Sequence, residues 1–205
     1  MKKLKIGSKG ERTRDFFLEC AARVIAKEGV ERANLVRIAK EAGTVSSHIS
    51  HYFPRKADLI LDVVKYVFAK AFSAVGKSKA DHPPEKSLLE AIRENYLYFQ
   101  KYPHHYSVIV LGYYYARIHK ELKLFLGEVY FRNIEGTLTT LRKINESAGL
   151  PRSELELTRF AEGFVYELEG GLIYGFFSAH QEPVEQFVNN HLEGLQARIR
   201  ALFQN

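Results

Sequence analysis

The sequence predicts an all-α protein, with a small N-terminal three-helix head carrying a helix-turn-helix on a larger helical body, about nine helices in all. Three observations carry this expectation. Apolar residues recur at helical spacing from Phe16 to Leu202, no strand-like alternation persists, and all six prolines stand between the periodic stretches rather than inside them.

In the first helix, apolar side chains fall at Phe16, Phe17, Cys20, Ala21, Val24 and Ile25, one buried stripe, and Gly29 supplies the stop. Asn34 is a good N-cap for a second helix of about two turns, in which Leu35, Ile38, Ala39 and Ala42 share a face before Gly43 ends it. A third segment, Ser46 to Phe53, is closed by Pro54 and turns Ile49, Tyr52 and Phe53 inward. Longer helices follow from Lys56 to about Lys79, from the Pro83-Pro84 pair to about Lys101, and from Pro103 to about Ile118. A segment from about Lys120 ends at Gly149. Ser153 and Glu156 have the spacing of a capping box and open a helix that runs to about His180. Pro183 begins the last helix, with Phe187, Val188, Leu192, Leu195, Ile199 and Leu202 on one stripe. The domain boundary expected from this punctuation separates a head over residues 1–56 from a body over residues 57–205.

With 46% hydrophobic and 26% charged positions in 205 residues, the chain is globular rather than a disordered tail. Its apolar runs, around Tyr106 to Ala116 and Gly170 to Ala179, fall short of the ~20 residues that span a bilayer, so no membrane crossing is expected. The opening MKKLKIGSKGERTRDFF lacks the apolar stretch of a secretory signal, and a cytoplasmic location is expected. The single cysteine, Cys20, cannot form an internal disulfide, and no Cys/His cluster has structural zinc spacing. His48 and His51 stand at i, i+3 but with no third ligand, and His104 and His105 are adjacent, so on a helix they should point apart. Neither a metal nor a cofactor is expected. Phosphate loops, nucleophile elbows and zinc-protease motifs are also missing, which argues against an enzyme.

The charge is unevenly placed. Residues 1–58 carry 13 Lys or Arg against 7 Asp or Glu, an excess of six that equals the net charge of the whole chain, while residues 59–205 carry 17 of each sign. That asymmetry fits a head that meets a polyanion and a neutral body with another task. Two short helices joined around a glycine make a helix-turn-helix, whose second helix can enter a major groove. Its outward residues, Ser46, Ser47, His48, Ser50 and His51, are small or hydrogen-bonding, and no acid stands between Ala42 and Asp58. A merely solvated face is more often written with Glu and Lys, so contact with DNA is the favoured reading. Lys2, Lys3, Lys5 and Lys9 would add non-specific attraction.

The stretch from Gly29 through Leu59 resembles the DNA-binding domain of TetR-type transcriptional regulators. The resemblance is carried by Ile38-Ala39, Ala42-Gly43, His51-Tyr52-Phe53 and Lys56, without a gap. Two positions depart from the family pattern. Val45 stands where Ser or Thr is usual, which moves the expected cap to Ser46 or Thr44, and Ser50 stands at a position commonly Tyr. The resemblance implies a homodimeric, ligand-responsive regulator, more often a repressor, on a palindromic double-stranded DNA operator. Ser46, Ser47, His48, Ser50 and His51 would face bases or phosphates, Tyr52 the backbone and Lys56 a phosphate, with Asn34 capping its helix near the backbone. The alternative is an α-helical small-molecule-binding or modifying protein whose helix-turn-helix is only structural.

In the body, the many tyrosines hint at a cavity with a partly polar lining, because each buried hydroxyl needs a partner. The resemblance adds that TetR-type bodies commonly bind a small-molecule effector and dimerise through their last two helices. The expected interface residues are Gly170, Gly171, Tyr174, Phe187, Val188, Leu192, Leu195 and Ile199. Glu167 and Glu169 lie about 200° apart on an otherwise apolar helix, so one must face inward, held by a basic side chain such as Arg142, by a bound cation or by a proton. Tyr96, Phe99, Tyr114, Phe164, Glu167 and Gly171 are the candidate lining, suited to a cationic or amine-bearing effector.

Overall fold

The computed structural model describes residues 9–78, 82–148, 151–178 and 183–204. Lys2, Lys3 and Lys5 lie outside the described residues, as do Gly149 and His180, the expected helix ends. Among the described residues there are nine helices and no strand: α1 (Lys9–Glu28), α2 (Leu35–Glu41), α3 (Ser46–Ser50), α4 (Lys56–Ser78), α5 (Pro84–Lys101), α6 (Pro103–Tyr115), α7 (Lys120–Glu146), α8 (Glu154–Ser178) and α9 (Val184–Gln204). None is long and apolar enough to cross a membrane. The chain divides into two compact units, one from residues 1–70 and 102–123, the other from 71–101 and 124–205.

In the first unit, α1 is the packing axis. Phe17, Cys20, Ala21, Val24 and Ile25 are buried along its stripe, and α2 and α6 both pack against it. Gly29 and Gly43 end α1 and α2 with φ of 81° and 64°, the left-handed region in which a side chain is strained. After α2, the Thr44 N–H bonds back to Ala39 O at 2.9 Å and the Gly43 N–H to Lys40 O at 3.3 Å, closing the helix end around that glycine. Asn34 caps α2 as the sequence indicates: its Oδ1 accepts from the Val36 and Arg37 N–H groups at 3.1 and 3.0 Å.

The third helix differs from expectation in length and in its cap. Regular helix stops at Ser50, and His51 and Tyr52 form a turn, because the residue before Pro54 is driven out of the helical region. Phe53 is thereby buried. Val45 holds the N-cap position with extended backbone and no side-chain hydrogen bond, so neither Ser46 nor Thr44 takes over the cap.

The second unit has two core clusters. One joins Leu88, Ile92 and Tyr96 of α5 to Phe164 of α8 and to Val188, Leu192, Leu195 and Ile199 of α9. The other joins Ile134, Leu138 and Leu141 of α7 to Leu157, Ala161 and Val165 of α8. The capping box at the start of α8 is formed, with Glu156 accepting from the Ser153 N–H at 2.9 Å and from its hydroxyl at 2.7 Å.

Replacing Asn34 with Ala should lower unfolding stability by about 1 kcal/mol, since two N–H groups of a seven-residue helix lose their acceptor. Urea unfolding checks this, and an unchanged midpoint would remove the cap from the account.

Candidate functional site

The polar face of α3 is presented by two buried side chains. Ile49 is 0% exposed and Phe53 1%, and these anchors turn Ser47, His48, Ser50 and His51 outward, with Ser46 half-buried. His48 is more constrained than its exposure suggests. Its ring meets Phe17 of α1 edge-on at 5.2 Å, and its Nδ1 lies 3.3 Å from the Thr44 hydroxyl. Tyr52 packs on the same Phe17 ring at 5.5 Å and on His48 at 6.0 Å. His48 of α3 and Tyr52 in the turn after it, both with candidate DNA roles, are therefore oriented by one α1 aromatic, a link that sequence spacing does not reveal. Ser50 turns its hydroxyl back onto Ser47 O at 2.9 Å.

Lys56, expected to meet a phosphate, donates to Glu31 O at 2.9 Å. The Tyr115 hydroxyl donates to the Glu31 carboxylate, which ties α6 to the same loop. Asn34, exposed at the head of α2, uses its side chain for the cap.

His104 and His105 do not point apart. The Nε2 of His104 lies 2.7 Å from one oxygen of Glu19 on α1, and the Nε2 of His105 lies 2.8 Å from the other. A helix sets adjacent side chains about 100° apart, but a carboxylate offers two oxygens, and the two rings close on it with centroids 4.5 Å apart. The bond from His105 is the main influence; helped by His104, and against the cost of burial, it lowers the Glu19 carboxyl to about 2.

The expected aromatic lining is brought together only in part. Tyr96 and Phe164 share a core cluster, and Phe99 is buried with its ring edge-on to Tyr98 at 5.2 Å. Tyr114 belongs to the first unit and is 67% exposed, its ring against Tyr115, whereas Tyr96, Phe99 and Phe164 belong to the second. Glu167 pairs with Arg198 of α9, whose guanidinium also lies over Phe160 at 5.5 Å. Arg142, the partner suggested by sequence, pairs with Glu154 and Glu135 instead. Gly171 is required inside this unit, because a Cβ there would overlap the Tyr96 hydroxyl and stand 3.2 Å from the His191 ring. The His191 Nε2 is buried with no hydrogen-bond partner among the described residues, and burial lowers its pKa, which favours the neutral imidazole. A separate groove of about 520 Å³ runs between α5 and α9, edged by Glu85, Lys86, Arg93, Glu193 and Arg200, so it is charged rather than aromatic.

The proposed interface residues also need correction. Val188, Leu192, Leu195 and Ile199 are buried against α5 and α8 of their own chain, and Phe187 packs on Tyr96 and His191. An amphipathic stripe does not say which helix it will meet, and here the α9 stripe is satisfied within the monomer. Among the described residues no neighbouring atom lies within 4 Å of where a Cβ on Gly170 would stand, and Tyr174 is 56% exposed.

Comparison with known proteins bears on the class. Residues 17–63 match the family model described as bacterial regulatory proteins, tetR family, a span from α1 to α4 that contains all the candidate DNA residues. The chain is similar to the HTH-type transcriptional repressor NicS of Pseudomonas putida, with 24% identity over 193 residues that cover 92% of this chain and 86% of NicS. A transcriptional regulator from Saccharomonospora viridis, solved in complex with choline, matches the fold with a TM-score of 0.74 and 18% identity over 89% of this chain and 95% of its own. AibR, solved with isovaleryl coenzyme A and operator DNA, matches with a TM-score of 0.65 and 16% identity over 92% and 98%. Fold and head together define a DNA-binding transcriptional regulator. The head matches the TetR family model over residues 17–63, and the chain as a whole is similar to TetR-type regulators.

Gly171→Ala should destabilise the protein by ~1 to 3 kcal/mol, because the added methyl group overpacks the Tyr96 and His191 contact. Thermal unfolding measures it; a neutral substitution would mean that Gly171 is not held by that contact.

Proposed function

We propose that the protein is a repressor that binds a palindromic operator as a homodimer and releases it when a small molecule occupies the second unit. The observation that carries the DNA-binding half is the exposed, acid-free face of α3, held outward by Ile49 and Phe53. Serine hydroxyls and imidazole nitrogens can donate to or accept from base edges, and the absence of carboxylates avoids repulsion by phosphate. His48, steadied by Phe17 and Thr44, is the residue proposed to read a base. Lys56 reaches a phosphate by leaving the Glu31 carbonyl. A two-fold operator requires two recognition helices whose centres lie roughly 34 to 36 Å apart or a multiple of that, hence two copies of the chain.

The dimer face proposed is the exposed stripe of α8 formed by Tyr166, Gly170, Ile173 and Tyr174, large apolar groups flanking a glycine that permits close helix approach. The effector site proposed lies around Tyr96, Phe164 and His191, where the buried His191 Nε2 offers a hydrogen-bonding atom to a ligand. Glu167 favours a cationic or amine-bearing effector only if that effector displaces Arg198. The effector acts by favouring the dimer geometry in which the two heads no longer match the operator spacing. Repression is supported by the likeness to NicS, and effector control by neighbours solved with choline or with an acyl coenzyme A.

Binding to random duplex DNA should weaken steeply as salt is raised, as counterion release demands; the rival small-molecule protein would show almost no slope. Against a site selected from a random pool, His48→Ala should lose ~1 to 3 kcal/mol of preference, while Lys56→Ala weakens all sequences alike. Unchanged affinity and selectivity in His48→Ala would show that this face does not read DNA. Sedimentation should give a dimer at micromolar concentration, and a monomer there would remove the basis for two-fold recognition.

A further inference from the structure

We propose that Glu19, His104 and His105 form a binding site for a divalent first-row transition metal of the zinc class, with its remaining coordination completed by water. The three side chains each offer one ligand atom, and those atoms all lie within 4.8 Å of one another. Two imidazole nitrogens and one carboxylate oxygen are the donor set that such ions favour, and three protein ligands with an open position are a recurrent arrangement. Glu19 and His104 are about one-fifth exposed while His105 is 3% exposed, so the cluster is closed on one side and reached by solvent on the other.

The geometry needs a small adjustment. Zinc bonds of ~2.0 to 2.2 Å in a tetrahedral arrangement set neighbouring ligand atoms about 3.3 Å apart. The two nitrogens stand 2.7 and 2.8 Å from different oxygens of Glu19, with the three ligand atoms within 4.8 Å of one another, so a Glu19 side-chain rotation that presents one oxygen to both nitrogens brings the set toward that spacing. Each Nε2 turns its lone pair to the metal when the ring proton resides on Nδ1, so neutral imidazoles bind without net change in protonation.

Neighbouring groups fix the ligands. The Tyr66 hydroxyl donates to Glu19 Oε2 at 3.1 Å, and the Tyr102 ring stacks on His105 at 5.4 Å, setting the imidazole plane. Opposing them are the Arg23 guanidinium, 3.4 Å from Glu19 Oε1, and the positive end of α6, on whose first turn both histidines sit. Arg23 is also drawn toward Glu41 at 3.0 Å. These cationic groups set the affinity below that of a closed structural zinc site. Bound metal would tie α1 to α6 within the first unit, and α1 is the helix whose Phe17 orients His48 and Tyr52.

The test uses the full chain stripped of metal by chelation, titrated with zinc by calorimetry and with cobalt by visible absorption. One equivalent per chain should bind in the micromolar range, raise the melting temperature and give cobalt d–d bands that report the coordination. Glu19→Gln is nearly isosteric, and His104→Gln changes the more exposed ring; circular dichroism checks that each variant folds. Both should bind the equivalent weaker by roughly 100-fold or more, because each removes a ligand outright. Absence of saturable binding by the wild type, or an equivalent that either folded variant retains at unchanged strength, would overturn the proposal.

Discussion

The first unit depends on the burial of one apolar stripe on α1. A helix of five residues cannot hold itself in water, because the nucleation cost of a helix is recovered only over many more turns. α3 exists because Ile49 and Phe53 are buried beneath it, and its polar face points outward as the geometric remainder of that burial. Full burial of such side chains contributes on the order of 1.5 to 3 kcal/mol each. Val45 contributes no side-chain cap, so packing rather than local hydrogen bonding sets where the helix begins.

The same α1 serves several contacts through different residues of successive turns. Phe17 orients His48 and Tyr52, Glu19 receives Tyr66 and the two histidines of α6, and Arg23 reaches Glu41 on α2. A displacement of α1 would thus be felt at the recognition face and at the start of α6 together. This gives the proposed regulation a physical route inside the first unit, in which ring contacts and short polar contacts share one rigid element. In the second unit the corresponding constraint is the close approach at Gly171, where a single hydrogen in place of a side chain admits Tyr96 and His191.

Local signals in the sequence were read accurately where the physics is local. Asn34, Gly29, Gly43 and the Ser153–Glu156 pair act on their own neighbours, and the ends they mark are found in the structure. Helix α3 is shorter than the spacing of Ile49, Tyr52 and Phe53 predicts, because that spacing persists through a turn that is no longer helix. What was not legible is which faces meet. The α9 stripe looked like an interface and is core; Glu167 takes Arg198 rather than Arg142; and His104 and His105 share a carboxylate 85 and 86 residues away. Each of these depends on a partner chosen by tertiary packing, for which spacing within one helix holds no information. The outward setting of Ser47, His48, Ser50 and His51 is legible because they fall in one short, compositionally unusual run, whereas the body's aromatics are spread over many helices and most of the described ones serve the core.

Amide hydrogen exchange of the full chain, recorded for wild type and Ile49→Ala alongside affinity for the selected operator, tests the central claim most directly. The claim is that tertiary burial alone holds the recognition face. Loss of the Ile49 anchor should release protection across Ser46–Phe53 and lower operator affinity in parallel, while protection in α5, α8 and α9 stays as in wild type. Retained operator affinity in a variant whose α3 has lost its protection would contradict the account.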